Sequence, residues 1–213
     1  DEGRWLLKKA PCSKDQSYVL YHLTQHQLAH TLMPLAGMEK SEARELAREA
    51  GLPVAHKPDS QEICFVQDND YASFIRRYTG KEPPPGNFID QAGNVLGTHK
   101  GITHYTIGQR KGLGVAMAHP VYVTGVDAAN NIVHLGEVDD LTATALTAND
   151  WIWSAPADHM EAELTSGGIR VGAKYRYRQK DQAATLTRGA DGQMLLTFDE
   201  PQRAIAPGQA VVD

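Results

Sequence analysis

Two cysteines stand in a chain of 213 residues. Cys64 lies in DSQEICFV, residues 59–66, with acidic and amide side chains before it and the apolar pair Phe65-Val66 after it. The thiolate is the nucleophilic form of cysteine, and it needs donors or positive charge nearby. His56 and Lys57 lie upstream, whereas Asp59 and Glu62 oppose ionisation. On these neighbours alone, a reactive thiol and a half-buried structural thiol are equal readings. Cys12, in APCSKDQ, is expected in an exposed polar loop.

Three further groupings carry polar chemistry. His22, His26 and His30 recur at i, i+4 and i+8, and one helix would put them on one face. Two histidines at that spacing suit a metal, but no third ligand is in place, so no metal site is expected. YTIGQRKGLGVA, residues 105–116, joins glycines to Gln109, Arg110 and Lys111. An amide and two cations on flexible backbone suit a phosphate chain or a ribose, and a basic surface turn explains them equally. SGGIR, residues 166–170, has the glycines of a phosphate loop, but Arg170 stands at the fifth place and the strand-like VGAKYRY follows. A phosphate loop should open a helix, so this stretch reads as a turn between strands.

Elements must position these groups. Residues 14–50 read as two helices. Val19, Leu20, Leu23, Leu28 and Leu32 follow helical spacing up to Pro34, and KSEARELAREAGLP, with Ser41 as N-cap, stops at Gly51. A helix is expected from Tyr71 to Tyr78. TGKEPPPGNFID reads as a loop at a domain boundary. Beyond it the texture is β: a strand-turn-strand in PVYVTGVDAANNIVHLG, a hairpin about Asp191-Gly192, an alternating GAKYRYRQ and a closing strand in GQAVV. Short strands with regular turns suggest a small barrel or sandwich.

Apolar residues make up 41% of the chain and charged residues 22%, ordinary for a globular protein. No apolar run reaches the roughly 18 residues of a membrane span, and the sparing use of cysteine points to a reducing, cytoplasmic home. Net charge is −5, yet residues 72–125 carry six Lys/Arg against two acids, and residues 126–166 carry eight acids and no Lys or Arg. A local basic face can hold a polyanion whatever the total.

KDQSY (14–18), GLPVAHKPDSQEICFV (51–66), YTGKEPPPGNFID (78–90), GTHKGITHYTIGQRKGLGV (97–115), RYRQ (176–179) and PQRAIAPGQAVV (201–212) occur in this order. Together they closely resemble the bacterial tRNA-specific 2-thiouridylases, the tRNA-uridine 2-sulfurtransferases, from end to end of the chain. The resemblance implies an α+β multidomain protein. Residues 1–75 would be the helical remnant of an α/β adenylating domain, 76–142 a small central domain, and 143–213 a C-terminal antiparallel β-barrel that binds tRNA. The ATP loop and the first catalytic cysteine of the family precede the matched region.

The family's activity would be transfer of sulfur from a cysteine persulfide to C2 of an adenylated wobble uridine. Cys64 matches the persulfide carrier. Lys14, Asp15 and Gln16, Arg176 and Tyr177, and Gln209 match positions that contact tRNA, and Gln109, Arg110 and Lys111 are candidate backbone contacts. Cys12 matches no catalytic position. ATP with Mg²⁺ would serve the full-length enzyme and none is expected bound to this chain, which would be inactive alone. The implied partners are tRNAs for Lys, Glu and Gln and a sulfur-relay donor, with no membrane. The alternative is a stand-alone RNA-binding module with a structural Cys64.

Overall fold

The computed structural model describes residues 3–11, 15–57, 66, 70–189 and 192–212. Lys14, Cys12 and Cys64 lie outside the described residues, as does Asp191 of the expected hairpin turn. The chain packs as two compact units. Unit 1 comprises Asp1–Asp59, Ala145–Glu200 and Gly208–Asp213; unit 2 comprises Ser60–Thr144 and Pro201–Pro207.

In unit 1 the long first helix expected before Pro34 is replaced by shorter pieces. A 3₁₀ turn spans Ser17–Leu20, and α1 is only Gln25–Ala29. Thr24 starts α1 through a capping box with Gln27, so His22 falls outside the helix. His26 and His30 do meet, with ring centroids 4.4 Å apart and His30 Nδ1 2.7 Å from the His26 carbonyl. No metal-binding group of three or more ligands occurs among the described residues. Helix α2 (Lys40–Glu49) is capped by Glu39 rather than Ser41, again through a capping box, with Glu42. Neither α1 nor α2 buries a side chain.

The β part of unit 1 follows α4 (Ala157–Ser166). Strands β6 (Ile169–Ala173) and β7 (Gln182–Arg188) pair antiparallel, and β7 pairs antiparallel with β8 (Met194–Arg203). With β5 (Thr142–Ala148) the sheet order is β5-β8-β7-β6. Alternation buries Ala184 and Leu186 from β7 and Met194, Leu196 and Phe198 from β8. The expected closed barrel is not formed among the described residues: β5 and β6 are the outer strands of an open sheet. Two local features account for this. Past Ala173 the chain turns, with Gln179 N–H bonding Arg176 O at 3.1 Å, instead of continuing as a strand. The expected closing strand contributes only one bridge, Val212 to Lys174. SGGIR joins α4 to β6, helix to strand, the reverse of a phosphate loop's order and not a turn between strands.

Unit 2 holds α3 (Tyr71–Thr79), where a helix is expected. Asp70 caps its first turn and Gly80, at φ 66°, ends it. The proline-rich stretch contributes more than a loop, because Gly86–Ile89 forms β1. With β2 (Val95–His99), β3 (Tyr122–Asp127) and β4 (Ile132–Gly136) it makes a sheet of order β2-β1-β4-β3. β3 and β4 form the expected strand-turn-strand, and β1 runs parallel to β4. The core gathers Phe88, Tyr105, Leu113, Val121, Val123, Val133 and Leu135. His99, buried beside Phe88, accepts from Gly101 N–H at Nδ1 and donates from Nε2 to Asn131 O. A side chain at Gly86 would meet the Asn131 carbonyl at 2.2 Å, which is why glycine opens β1.

Candidate nucleic-acid interface

Three segments far apart in sequence meet within unit 1. The first is the stretch after Lys14. Asp15 turns its carboxylate inward: Oδ1 accepts from Ala10 N–H (2.9 Å) and Ser17 N–H (3.2 Å), and Oδ2 accepts from Ser17 Oγ (2.6 Å). Burial works against its ionisation, but the Ser17 hydroxyl, the two amides and nearby Lys174 together outweigh it and hold the carboxyl below its ordinary range. Asp15 thus shapes the loop that presents its neighbours. Gln16 points outward, and its Nε2 donates to the Tyr177 hydroxyl at 2.5 Å.

The second segment is the turn after β6. Tyr177 packs near Tyr18, ring centroids 6.3 Å apart, and the Arg176 guanidinium lies 5.5 Å from the Tyr175 ring centre. Tyr175 is buried against Phe198 and fixes the turn, with its N–H donating to Gln179 Oε1 at 3.1 Å. Arg176 and Tyr177 are therefore exposed side chains of a turn rather than of an amphipathic strand. The third segment is the turn at Gly208, φ 81°. There Tyr18 Oη donates to Ala210 O at 2.9 Å, while the neighbouring Gln209 is exposed and its side chain makes no hydrogen bond among the described residues. Burial raises the Tyr18 phenol above its usual range, with Tyr21 adding to the effect and Arg176 opposing it. The hydroxyl stays neutral and donating.

Lys174 stands between these segments. It is buried, bridges Val212 through backbone bonds of 2.8 and 2.9 Å, and carries its ammonium 5.7 Å from the Tyr18 ring centre. Sequence reasoning saw Lys174 and Tyr18 only as parts of their motifs. Their pairing depends on a turn and a bridge 156 residues further along the chain, and no local spacing signals it.

The GQRK loop belongs to unit 2. Gly108 N–H bonds Val123 O at 2.8 Å and Val123 N–H bonds Gln109 O at 2.9 Å, which ties the loop to β3. The Gln109 side chain is used inside the loop, accepting from Thr106 N–H (3.1 Å) and donating to Lys111 O (3.0 Å). Arg110 and Lys111 are exposed and, among the described residues, make no ion pair. Two cations on a braced loop suit phosphate contacts. No helix among the described residues is long and apolar enough to cross a membrane.

The chain matches three consecutive family models. They are described as the tRNA methyl transferase HUP domain (residues 1–68), the tRNA methyl transferase PRC-barrel domain (72–137) and the aminomethyltransferase beta-barrel domain (143–212). Two of the three models are named for tRNA methyl transferases. The chain's relatives are more specific. The tRNA-specific 2-thiouridylase MnmA 1 of Thermoanaerobacter sp. (strain X514) is 53% identical over 215 residues, covering 100% of this chain and 57% of that protein. The tRNA-specific 2-thiouridylase MnmA of Acetivibrio thermocellus is 50% identical over 213 residues, covering 100% and 58%. That of Clostridioides difficile is 46% identical over 211 residues, covering 99% and 57%. The chain belongs to the tRNA-specific 2-thiouridylase family, and it spans a little over half the length of these relatives.

Proposed function

We propose that this chain is the sulfur-carrying and tRNA-gripping portion of a tRNA 2-thiouridylase. The observation that supports this best is the meeting of Gln16, Tyr177 and the Gln209 turn in unit 1, three motifs brought together by hydrogen bonds from Gln16 and Tyr18. Exposed Arg176 offers a charge-assisted donor to a phosphate. Tyr177 offers a ring for stacking, and Gln209 an unused amide for a ribose or base edge. A base must leave the anticodon stack to be modified, and such a face would hold the RNA while it does.

Cys64 is the residue assigned to carry the persulfide. The uridine C2 oxygen leaves only once it has been adenylated, so that AMP departs as the sulfane sulfur bonds to C2. A second thiol of the full-length enzyme would then attack Cys64, forming a disulfide as the S–S bond to the base breaks and 2-thiouridine is released. ATP with Mg²⁺ would supply that activation in the full-length enzyme. The described residues do not fit an ATP site: the one double-glycine stretch, at Gly167-Gly168, ends a helix instead of opening one. Activation is therefore assigned to the part of the family's length that this chain does not span. Apolar surface on the N-terminal segment agrees with that. Leu32 (92%), Leu35 (58%) and Val54 (60%) are exposed there, apolar surface of the kind that marks an interaction face. The tRNA substrates would be those for Lys, Glu and Gln, with a sulfur-relay protein loading Cys64 in the cytoplasm.

The experiment loads the chain with a persulfide donor and maps added sulfur by peptide mass spectrometry, alongside tRNA affinities of the parent, Arg176→Ala and Gln209→Ala. Sulfur on the Cys64 peptide and weakened binding in both variants are expected. Sulfur confined to Cys12 overturns the carrier assignment, and equal affinity in all three proteins overturns the interface.

A further inference from the structure

Unit 1 contains a cleft of about 460 Å³. That is within the roughly 300–1,000 Å³ of sites that hold small ligands. One wall is Trp151 and Trp153, both half-buried, with rings stacked at 5.4 Å between centroids and 18° between planes. Lys174, Gln209 and Ser17 line it from the other segments. Lys9 and Asp181 also line it, but they form an ion pair with each other. Asp150 lines it as well, and Asp15 lies close enough for Lys174 to favour its ionised form.

Lys174 is the unusual group. Only 8% of it is exposed, and among the described residues its ammonium has no hydrogen bond and no ion pair, only the face of Tyr18. The stem of Lys174 is buried while its ammonium is not among the buried, unpartnered atoms, so the packing holds a fixed cation at the cleft for an entering anion to meet. Asp15, the nearest carboxylate by its effect, accepts three hydrogen bonds from Ala10 and Ser17 and forms no ion pair with Lys174 among the described residues. The ring wall supplies what a phosphate alone would not use, an aromatic surface suited to a base.

We infer that this cleft is a nucleotide subsite for the RNA chain, in which Lys174 meets a backbone phosphate and the Trp151–Trp153 pair stacks a base beside the one being modified. The inference rests on the tRNA reading above and adds to it a subsite and the chemistry of its occupant. A free mononucleotide offers the same phosphate and base, so the test separates the two sources. The chain has three tryptophans, and Trp5 is removed from the signal by Trp5→Phe, leaving emission from Trp151 and Trp153.

In that background, tRNA should quench the emission, and uridine monophosphate should do so only at far higher concentration. Lys174→Met, which keeps the stem and drops the charge, should weaken tRNA binding about tenfold or more, as loss of a charged hydrogen bond does. It should also lower the salt dependence by roughly one phosphate's worth. Lys174→Arg should recover part of both, and Lys174→Gln serves as a second neutral variant if Met disturbs the fold by circular dichroism. Binding of tRNA with unchanged emission, or with full affinity in the folded neutral variants, overturns the subsite while leaving the tRNA reading intact. Quenching by the mononucleotide at least as tight as by tRNA overturns the RNA source. Absence of tRNA binding by the parent overturns both readings.

Discussion

Gln16 and Tyr177 lie 161 residues apart and share a hydrogen bond of 2.5 Å, donated by the Gln16 amide to the Tyr177 hydroxyl. It ties the loop before the first 3₁₀ turn to the turn after β6. Both side chains are at the surface, so water competes for the bond.

A double-mutant cycle of Gln16→Ala and Tyr177→Phe is expected to show a coupling of about 0.5–1 kcal/mol in urea unfolding. The same cycle read on tRNA affinity should show a larger coupling, because RNA would use both side chains once they are oriented. Strictly additive effects on both readouts would mean that the bond orients nothing.

The sequence showed the motifs but not their meeting. β3, β4 and α3 were legible because each is set by local pattern: alternation about an asparagine turn, and a run closed by Gly80. The first helix breaks where its pattern does not: apolar spacing from Val19 to Leu32 is helical, while Thr24 and Gln27 cap a new start in its middle. Three prolines before β1 signal a loop, yet Phe88 is fully buried and pulls the strand into the sheet. Lys174 and Arg176 alternate with tyrosines as in a strand, and only the Val212 bridge and the Gln179 contacts show that the strand has ended. These are long-range or turn-level facts with no period of their own.

The core of unit 2 should be sensitive at Phe88, which has 0% exposure and meets Tyr105 edge-on at 5.1 Å and His99 at 5.5 Å. Phe88→Ala is expected to cost about 3–5 kcal/mol, the usual range for an emptied aromatic site. Phe88→Leu should cost much less. Chemical denaturation followed by circular dichroism checks both, and a loss below about 1 kcal/mol in the alanine variant would show that the site collapses around the gap.

Asp15 gives a pH signature. Its folded-state carboxyl sits below the ordinary value: burial opposes ionisation, but the Ser17 and Ala10 hydrogen bonds, with Lys174, prevail. A depressed carboxyl contributes stability above its unfolded pKa, about 3.9, and loses that contribution as pH falls through the lower folded value. The parent should therefore exceed Asp15→Asn in stability near pH 7, and the gap should begin to close as pH falls below about 4. Thermal melts from pH 7 to pH 2.5 test this, and parallel curves throughout that range would refute the assignment.

Activity should need more than these 213 residues. Thiolation requires an activated uridine, a persulfide and an RNA held in register. On the reading proposed above, Cys64 would supply the second and the face of Gln16, Arg176, Tyr177 and Gln209 the third. For the first, triphosphate must be gripped by clustered backbone donors or a metal. The described residues hold no metal-binding group, and the Gly167-Gly168 stretch runs from helix to strand. The chain alone, persulfide-loaded and given tRNA, ATP and Mg²⁺, is expected to release no pyrophosphate and form no 2-thiouridine. A protein of the relatives' full length containing this sequence should do both. With Cys64→Ala it should still release pyrophosphate but form no 2-thiouridine, because activation and sulfur delivery use different groups. Pyrophosphate release by the 213-residue chain itself would place the activating site within it.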